Sequence, residues 1–304
     1  MNCVGIEIGG TKLQLCAGTA AGGIRERRRF EIEPSAGGEG IRARIAEALP
    51  GLVEATEARA IGVGFGGPVD RARGVIACSH QIAGWSDFPL RDWLHDMVGL
   101  PVALENDANT AALGEARAGV GRDRRAVFYI TMGSGIGGGL VVEGQVYHGA
   151  FPGEAEIGHL RLDRAGTILE QRCSGWAVDR RIRDLITHEP AGELARLVGA
   201  ETRGEARFLY PAVAANDTSA AKLFAEVLDE LAFGLSHVTH LFHPDAIVLG
   251  GGLSLIGEPL RDGVQGRLGE YLMDVFRPGP EIVLAALGED AVPVGALVLA
   301  GDCV

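Results

Sequence analysis

Two stretches of this 304-residue chain share one local design. The first reads GIEIGGTKLQL from Gly5; the second reads YITMGSGIGGGLVV from Tyr129, about 125 residues later. In each, an apolar strand stops at a glycine-rich tip carrying Thr or Ser, and a second strand leaves the tip. Two copies of one supersecondary unit predict two related α/β domains. A third glycine tip, 250–252, follows the apolar strand 246–249.

Between these landmarks, 41–49 has helical apolar spacing and 59–65 and 100–104 read as strands. The segment LENDAN at 104–109 runs into an alanine-rich helix ending near 118. A long helix is expected over 219–242, with Leu223, Val227, Leu231, Leu235, Val238 and Leu241 at 3.6-residue spacing. An apolar helix over 292–300 closes the chain. The division expected is a small N-terminal domain, 1–115 with the C-terminal helix at about 290–304, and a larger domain, 116–289.

The second tip tests three chemistries. Gly133, Gly135 and Gly138 satisfy the dinucleotide pattern G-x-G-x-x-G. That pattern works only where a helix follows, with its N-terminus at the pyrophosphate. Here LVVEGQVY follows, β-branched and alternating, so the dinucleotide reading fails. No G-x-x-x-x-G-K-[ST] occurs, which removes a P-loop. There remains a glycine hairpin tip whose successive N–H groups converge on an anion, with Thr11 and Ser134 as hydroxyl donors. Turn geometry alone explains any single glycine tip. Three tips, all ending apolar strands, favour phosphate, and two from separate domains suit a polyphosphate.

Charge narrows the partners. The chain has 28 basic and 40 acidic residues, a net charge of −12, and its one basic run, RERRR at 25–29, is broken by a glutamate. No nucleic-acid surface is expected from that balance. Five cysteines without a C-x-x-C pair predict no disulfide framework. The start, MNCVGIEIGG, lacks a signal peptide's basic and apolar regions, and no stretch has the length of a membrane span. The expectation is a cytoplasmic protein with no membrane partner.

Several carboxylates are open to both a structural and a chemical reading. Asp107 sits at a strand-to-helix junction, where it serves either as an N-cap or as the general base that takes a hydroxyl proton during phosphoryl transfer. Asn106 beside it suits a neighbouring hydroxyl. Glu154, Glu156 and His159, in GAFPGEAEIGHLRL, suit either polyol hydroxyls or a charged surface loop, with His159 also a metal-ligand type. Glu170, in TILEQRCSG, is unremarkable by itself.

Four segments resemble the ROK (repressor, ORF, kinase) family of sugar kinases: GIEIGGTK at 5–12, LENDANTAALGE at 104–115, MGSGIGGGLVVEGQVYHGAFPGEAEIGH at 132–159 and IVLGGGLS at 247–254. They occur in the family's order and span nearly the whole chain. The resemblance implies an actin-like ATPase, RNase H-like fold of two α/β domains with a cleft between them, and ATP- and Mg2+-dependent phosphorylation of a hexose. It makes Asp107 the general base. Asn106, Glu156, His159, Glu170 and Gly67 become sugar ligands. Gly9, Gly10, Thr11, Lys12, Gly133, Ser134, Gly135, Gly251 and Gly252 line the phosphates and nucleotide. It further implies a homodimer.

Three departures from the family pattern bear on chemistry. Glu7 stands where many members have Asp, and its longer side chain reaches a magnesium-bound water. Where many members hold a structural zinc with His159 and three cysteines, Arg161, Asp163 and Ile168 stand here, so no structural zinc is expected. Where members often place an Asn before a Gly-Trp pair, this chain has His80 and Gln81 ahead of Gly84-Trp85, which leaves the sugar open. Glucose is the default acceptor; fructose, N-acetylglucosamine and N-acetylmannosamine are the alternatives. Part of the family are sugar-responsive repressors with an N-terminal helix-turn-helix domain. With the phosphate hairpin beginning at Val4, the kinase branch is expected.

Overall fold

The structure, a computed structural model, describes residues 1–10, 12–79, 82–150 and 155–304. Thr11, His80, Gln81 and Glu154, all singled out above, lie outside the described residues.

Along the chain, β1 (Asn2–Ile8), β2 (Lys12–Thr19) and β3 (Ile24–Glu31) are followed by α1 (Gly37–Thr56) and β4 (Ile61–Phe65). A short ribbon, β5 (Val69–Asp70) and β6 (Val75–Ile76), leads to α2 (Leu90–Val98), β7 (Val102–Asn106) and α3 (Asp107–Ala118). Next come β8 (Ala126–Met132), β9 (Ile136–Val142) and β10 (Gln145–Val146). The helices α4 (Leu169–Cys173), α5 (Gly175–His188), α6 (Glu193–Val198), α7 (Leu209–Ala214) and α8 (Thr218–Phe242) follow. Then β11 (Ala246–Gly250), α9 (Glu258–Leu268), β12 (Glu281–Leu284) and α10 (Ala291–Gly301) end the chain.

Two sheets repeat one topology. The first has the order β3-β2-β1-β4-β7 and the second β10-β9-β8-β11-β12. In the first, β1, β2 and β3 form an antiparallel meander, and β4 and β7 extend it in parallel from β1. In the second, β10 is antiparallel to β9, while β11 and β12 extend in parallel from β8. The two glycine hairpins, β1–β2 and β8–β9, hold equivalent places, which is the duplication anticipated from sequence. The run Arg25–Arg29 lies in β3, the edge strand of the first sheet.

Two details differ from the sequence reading. The second tip is only 133–135, because Gly137, Gly138 and Gly139 already lie in β9. A Cβ on Gly139 would come within 2.7 Å of the Ala112 methyl, so this glycine serves close approach of α3 to β9. The third glycine turn is no hairpin: β11 has parallel neighbours on both sides, and the chain passes through Gly251 (φ 78°) into a 3-10 turn, Gly252–Ile256.

The chain forms two compact units: Met1–Arg125 with Gly139–Ala155 and Ala286–Val304, and Ala126–Gly138 with Glu156–Ala285. The boundary expected after residue 115 falls inside α3, which is continuous to Ala118. α3 belongs wholly to the first unit because α10 is pressed against it; a Cβ on Gly295 of α10 would lie 1.8 Å from the Thr110 carbonyl oxygen. The first unit's core joins Val4, Ile6 and Ile8 of β1 to Ile61, Val63 and Phe65 of β4 and to Ile41, Ile45, Leu49 and Leu52 of α1. In the second unit, α8 buries Leu223, Val227, Leu231, Leu235 and Val238, as their spacing requires. Leu241, expected in the same stripe, is exposed in the last turn before the left-handed cap at His243. Among the described residues no helix is long and apolar enough to cross a membrane.

Candidate active site

In the first unit the β1–β2 tip rests on a line of polar side chains. Glu7 and Gln14 face each other across the hairpin. The Gln14 amide donates to Glu7 Oε2 at 2.6 Å, and Lys12 Nζ lies 3.3 Å from Glu7 Oε1. Arg29 Nε donates to Gln14 Oε1 at 2.7 Å, which fixes which way the amide points. Glu7 and Gln14 are buried while Lys12 is half-exposed. Burial pushes the Glu7 carboxyl above its ordinary value, and Lys12 and Gln14 pull it part of the way back. The tip closes through Gly9 N–H donating to the Lys12 carbonyl at 3.0 Å.

The strand β7 ends on Asn106, two residues beyond the strand expected, and α3 starts at Asp107. The N-cap is Asn106, whose Oδ1 accepts from Ala108 N at 2.8 Å and Asn109 N at 3.2 Å. The capping role considered for Asp107 therefore falls to its neighbour. Asp107 Oδ1 accepts from Ala108 N at 2.8 Å. Its Oδ2 lies 3.4 Å from where a Cβ on Gly66 would stand, a point that is also 3.5 Å from the Gly9 Cα. The carboxylate thus shares a bare glycine surface with the first tip. Asn106 Nδ2 donates to the Gly67 carbonyl at 3.3 Å, so these two predicted sugar ligands are tied to each other.

Sequence reading missed what lies beneath. Glu105 is buried, 2% exposed, and meets His148 Nε2 at 2.6 Å. Its other oxygen accepts from Asn106 N at 2.9 Å and Asn109 Nδ2 at 3.1 Å. This carboxylate braces the turn that presents Asp107. Its last-but-one place in a strand that ends on the cap was the available signal.

In the second unit the tip 133–135 is closed by Gly133 N–H donating to the Gly135 carbonyl at 2.9 Å. Ser134 is exposed, and among the described residues its N–H and that of Gly135 donate to no protein acceptor. Such a pair of free N–H groups suits an anion. Gly251 packs against the end of β8 that leads into the tip, since a Cβ there would lie 2.5 Å from Met132 N, and Gly252 follows it exposed. Glu156 and His159, both exposed, open and close a 3-10 turn over Ile157–His159. Glu170, in the first turn of α4, accepts from Ile136 N at 2.8 Å. Arg161 and Ile168, two of the positions weighed above for a structural zinc, pair as a β-bridge. The third, Asp163, accepts from Gly166 N at 2.8 Å and Thr167 N at 3.1 Å.

The repeated five-stranded sheets and glycine turns define a two-domain, actin-like ATPase fold. The chain belongs to the ROK family, whose sequence profile matches residues 3–302. Glucokinase of Thermotoga maritima is 31% identical over 97% of this chain and 96% of its own length. Glucokinase of Streptomyces coelicolor is 33% identical over 98% and 97%. The crystal structure of a ROK family glucokinase from Streptomyces griseus in complex with glucose and AMPPNP is similar with a TM-score of 0.83, at 33% identity, over 99% of this chain and 100% of that one.

Proposed function

We propose that the protein is an ATP-dependent glucokinase, transferring the γ-phosphoryl group of ATP to a hydroxyl of glucose. The observation that carries this reading is the placement of Asp107. Its Oδ2 lies 3.4 Å from where a Cβ on Gly66 would stand, a point 3.5 Å from the Cα of the tip glycine Gly9, while the N-cap of α3 is Asn106. Family membership and the similar glucokinases support the same chemistry.

In this reaction the glucose hydroxyl donates a hydrogen bond to Asp107 and attacks the γ-phosphorus in line. The bond from that phosphorus to the ADP oxygen breaks, and the hydroxyl proton passes to Asp107. The protein's share is positioning and charge. Lys12 and the free N–H groups of the 133–135 tip meet phosphate oxygens, with Thr11 and Ser134 adding hydroxyls. Gly251 and Gly252 line the nucleotide. Glu156, His159 and Glu170 hold sugar hydroxyls through charge-assisted bonds. Asn106 contributes the remaining Nδ2 hydrogen, and Gly67 its backbone.

Magnesium enters with ATP as part of the substrate. Glu7 keeps both oxygens on protein donors, which suits contact with a magnesium-bound water better than direct ligation. Among the described residues no group of three His, Cys, Asp or Glu side chains is gathered for a metal ion. On this reading the enzyme works in the cytoplasm as a homodimer.

The test is ATP turnover across glucose, fructose, N-acetylglucosamine and N-acetylmannosamine. Glucose should give the highest kcat/KM, and no stimulation by any of them rejects the assignment. Asp107→Asn should lower kcat by about 10^2- to 10^4-fold while glucose still binds. Near-normal kcat in that variant would show that Asp107 is not the base.

A further inference from the structure

We propose that Glu170 is a positioning residue for the phosphate-binding tip 133–135, so that the sugar and phosphate sides of the second unit are built on one backbone unit, Ile136. The proposal rests on the kinase reading above and goes beyond it. A sugar ligand has no need to touch the phosphate hairpin, and Glu170 does.

The tip is clasped from two sides by one helical elbow. On one side, Glu170 Oε2 accepts from Ile136 N at 2.8 Å, immediately after the tip. On the other, Gly175 N–H, at the start of α5, donates to the Gly133 carbonyl at 2.8 Å. The elbow itself is fixed: Ser174 N donates to the Glu170 carbonyl at 3.2 Å, and Ser174 Oγ accepts from Ala177 N at 3.1 Å to cap α5. Gly133 of the tip and Ile136 just after it are thus each tied to α4–α5, and the exposed Ser134 between them is held out.

Ile136 also carries the turn that bears Glu156 and His159. A Cβ on Gly158 would lie 2.4 Å from the Ile136 carbonyl oxygen, so that turn sits directly on the backbone. The Ile136 N–H therefore holds Glu170, and its C=O side supports the Glu156–His159 turn. Gly135 is glycine for the same contact: a Cβ there would lie 2.5 Å from Glu170 Oε2. Among the described residues no hydrogen bond occupies Glu170 Oε1, which leaves it for a sugar hydroxyl while Oε2 keeps the tip in place.

This arrangement separates Glu170→Ala from Glu170→Gln. Glutamine keeps an oxygen acceptor for Ile136 N–H; alanine does not. Hydrogen exchange of the 133–137 amides in the ligand-free full-length protein reads the contact directly. AMPPNP affinity without sugar reads its consequence. Glu170→Ala should exchange about tenfold faster at the tip and bind AMPPNP about tenfold more weakly, and Glu170→Gln should recover most of both. A residue that only contacts sugar would leave AMPPNP binding without sugar unchanged in both variants. If Glu170→Ala matches the parent in tip exchange and in AMPPNP affinity, or if Gln behaves as Ala in both, the proposal is overturned. A parent protein that binds no AMPPNP would reject the kinase reading, while tip exchange would still judge the contact.

Discussion

The two glycine hairpins hold equivalent places in two sheets of the same order, yet they are supported by opposite means. The β1–β2 tip stands on charge. Glu289, Arg29, Gln14, Glu7 and Lys12 form a continuous line of contacts beneath it, ending in a half-exposed ammonium group. The β8–β9 tip stands on backbone contacts and one carboxylate. Gly175 and Glu170 hold its ends, Gly251 packs against the end of β8 that leads into it, and it presents bare N–H groups and Ser134. The hairpin and its strand order repeat, while the groups at the two tips differ. One tip presents a half-exposed ammonium group, and the other presents backbone N–H dipoles.

That contrast predicts different sensitivities. Lys12→Met should have the largest effect, raising KM for ATP about 10- to 100-fold, because a charge-assisted contact is lost. If KM for ATP moves less than about twofold, the first tip does not work by charge. Paired alanine substitutions then compare the tips as structures. Gly135→Ala drives a methyl into Glu170 Oε2, while among the described residues a Cβ on Gly9 meets nothing closer than the Lys12 carbonyl oxygen at 3.5 Å. Gly135→Ala should therefore push the Glu170 carboxylate off Ile136 N and destabilise the protein by about 1–3 kcal/mol, the worth of a hydrogen bond to a charged group. Gly9→Ala should leave thermal stability nearly unchanged. Equal melting temperatures for the two variants would erase the distinction drawn between fixed and charged tips.

Much of this was legible in the sequence, for a physical reason. Strand, glycine tip and strand form a local pattern, and so does the 3.6-residue stripe of α8; both follow from backbone periodicity. The identity of the cap was less legible. Asn106 and Asp107 are both good N-cap residues, and only the end point of β7 decides between them. The long-range contacts were not legible at all. Glu170 meets Ile136 across 34 residues and Glu105 meets His148 across 43, and no spacing rule says which backbone N–H or ring a given carboxylate will find. Gly139 misled for a related reason: in sequence it extends the tip, but in the fold it is strand backbone over which α3 passes.

The smallest predicted effect concerns the price of charge under the first tip. Glu7 is buried, and its carboxyl is raised chiefly by desolvation, so the folded protein holds this proton more tightly than the unfolded chain does. Such a group contributes stability that is complete below the unfolded pKa and is lost as pH rises through the higher folded one. Glu7→Gln cannot ionise and should not suffer that loss. Its amide oxygen can take the Gln14 donor, while Lys12, half-exposed, turns to water. The variant should melt with the parent at pH values below the ordinary glutamate range and a few degrees above it at pH 8, with a raised KM for ATP because Lys12 is no longer aimed. A parent and variant whose melting temperatures run parallel from pH 4 to pH 8 would mean that the ionised Glu7 costs the fold nothing, and that charge beneath this tip is structural rather than a burden carried for phosphate.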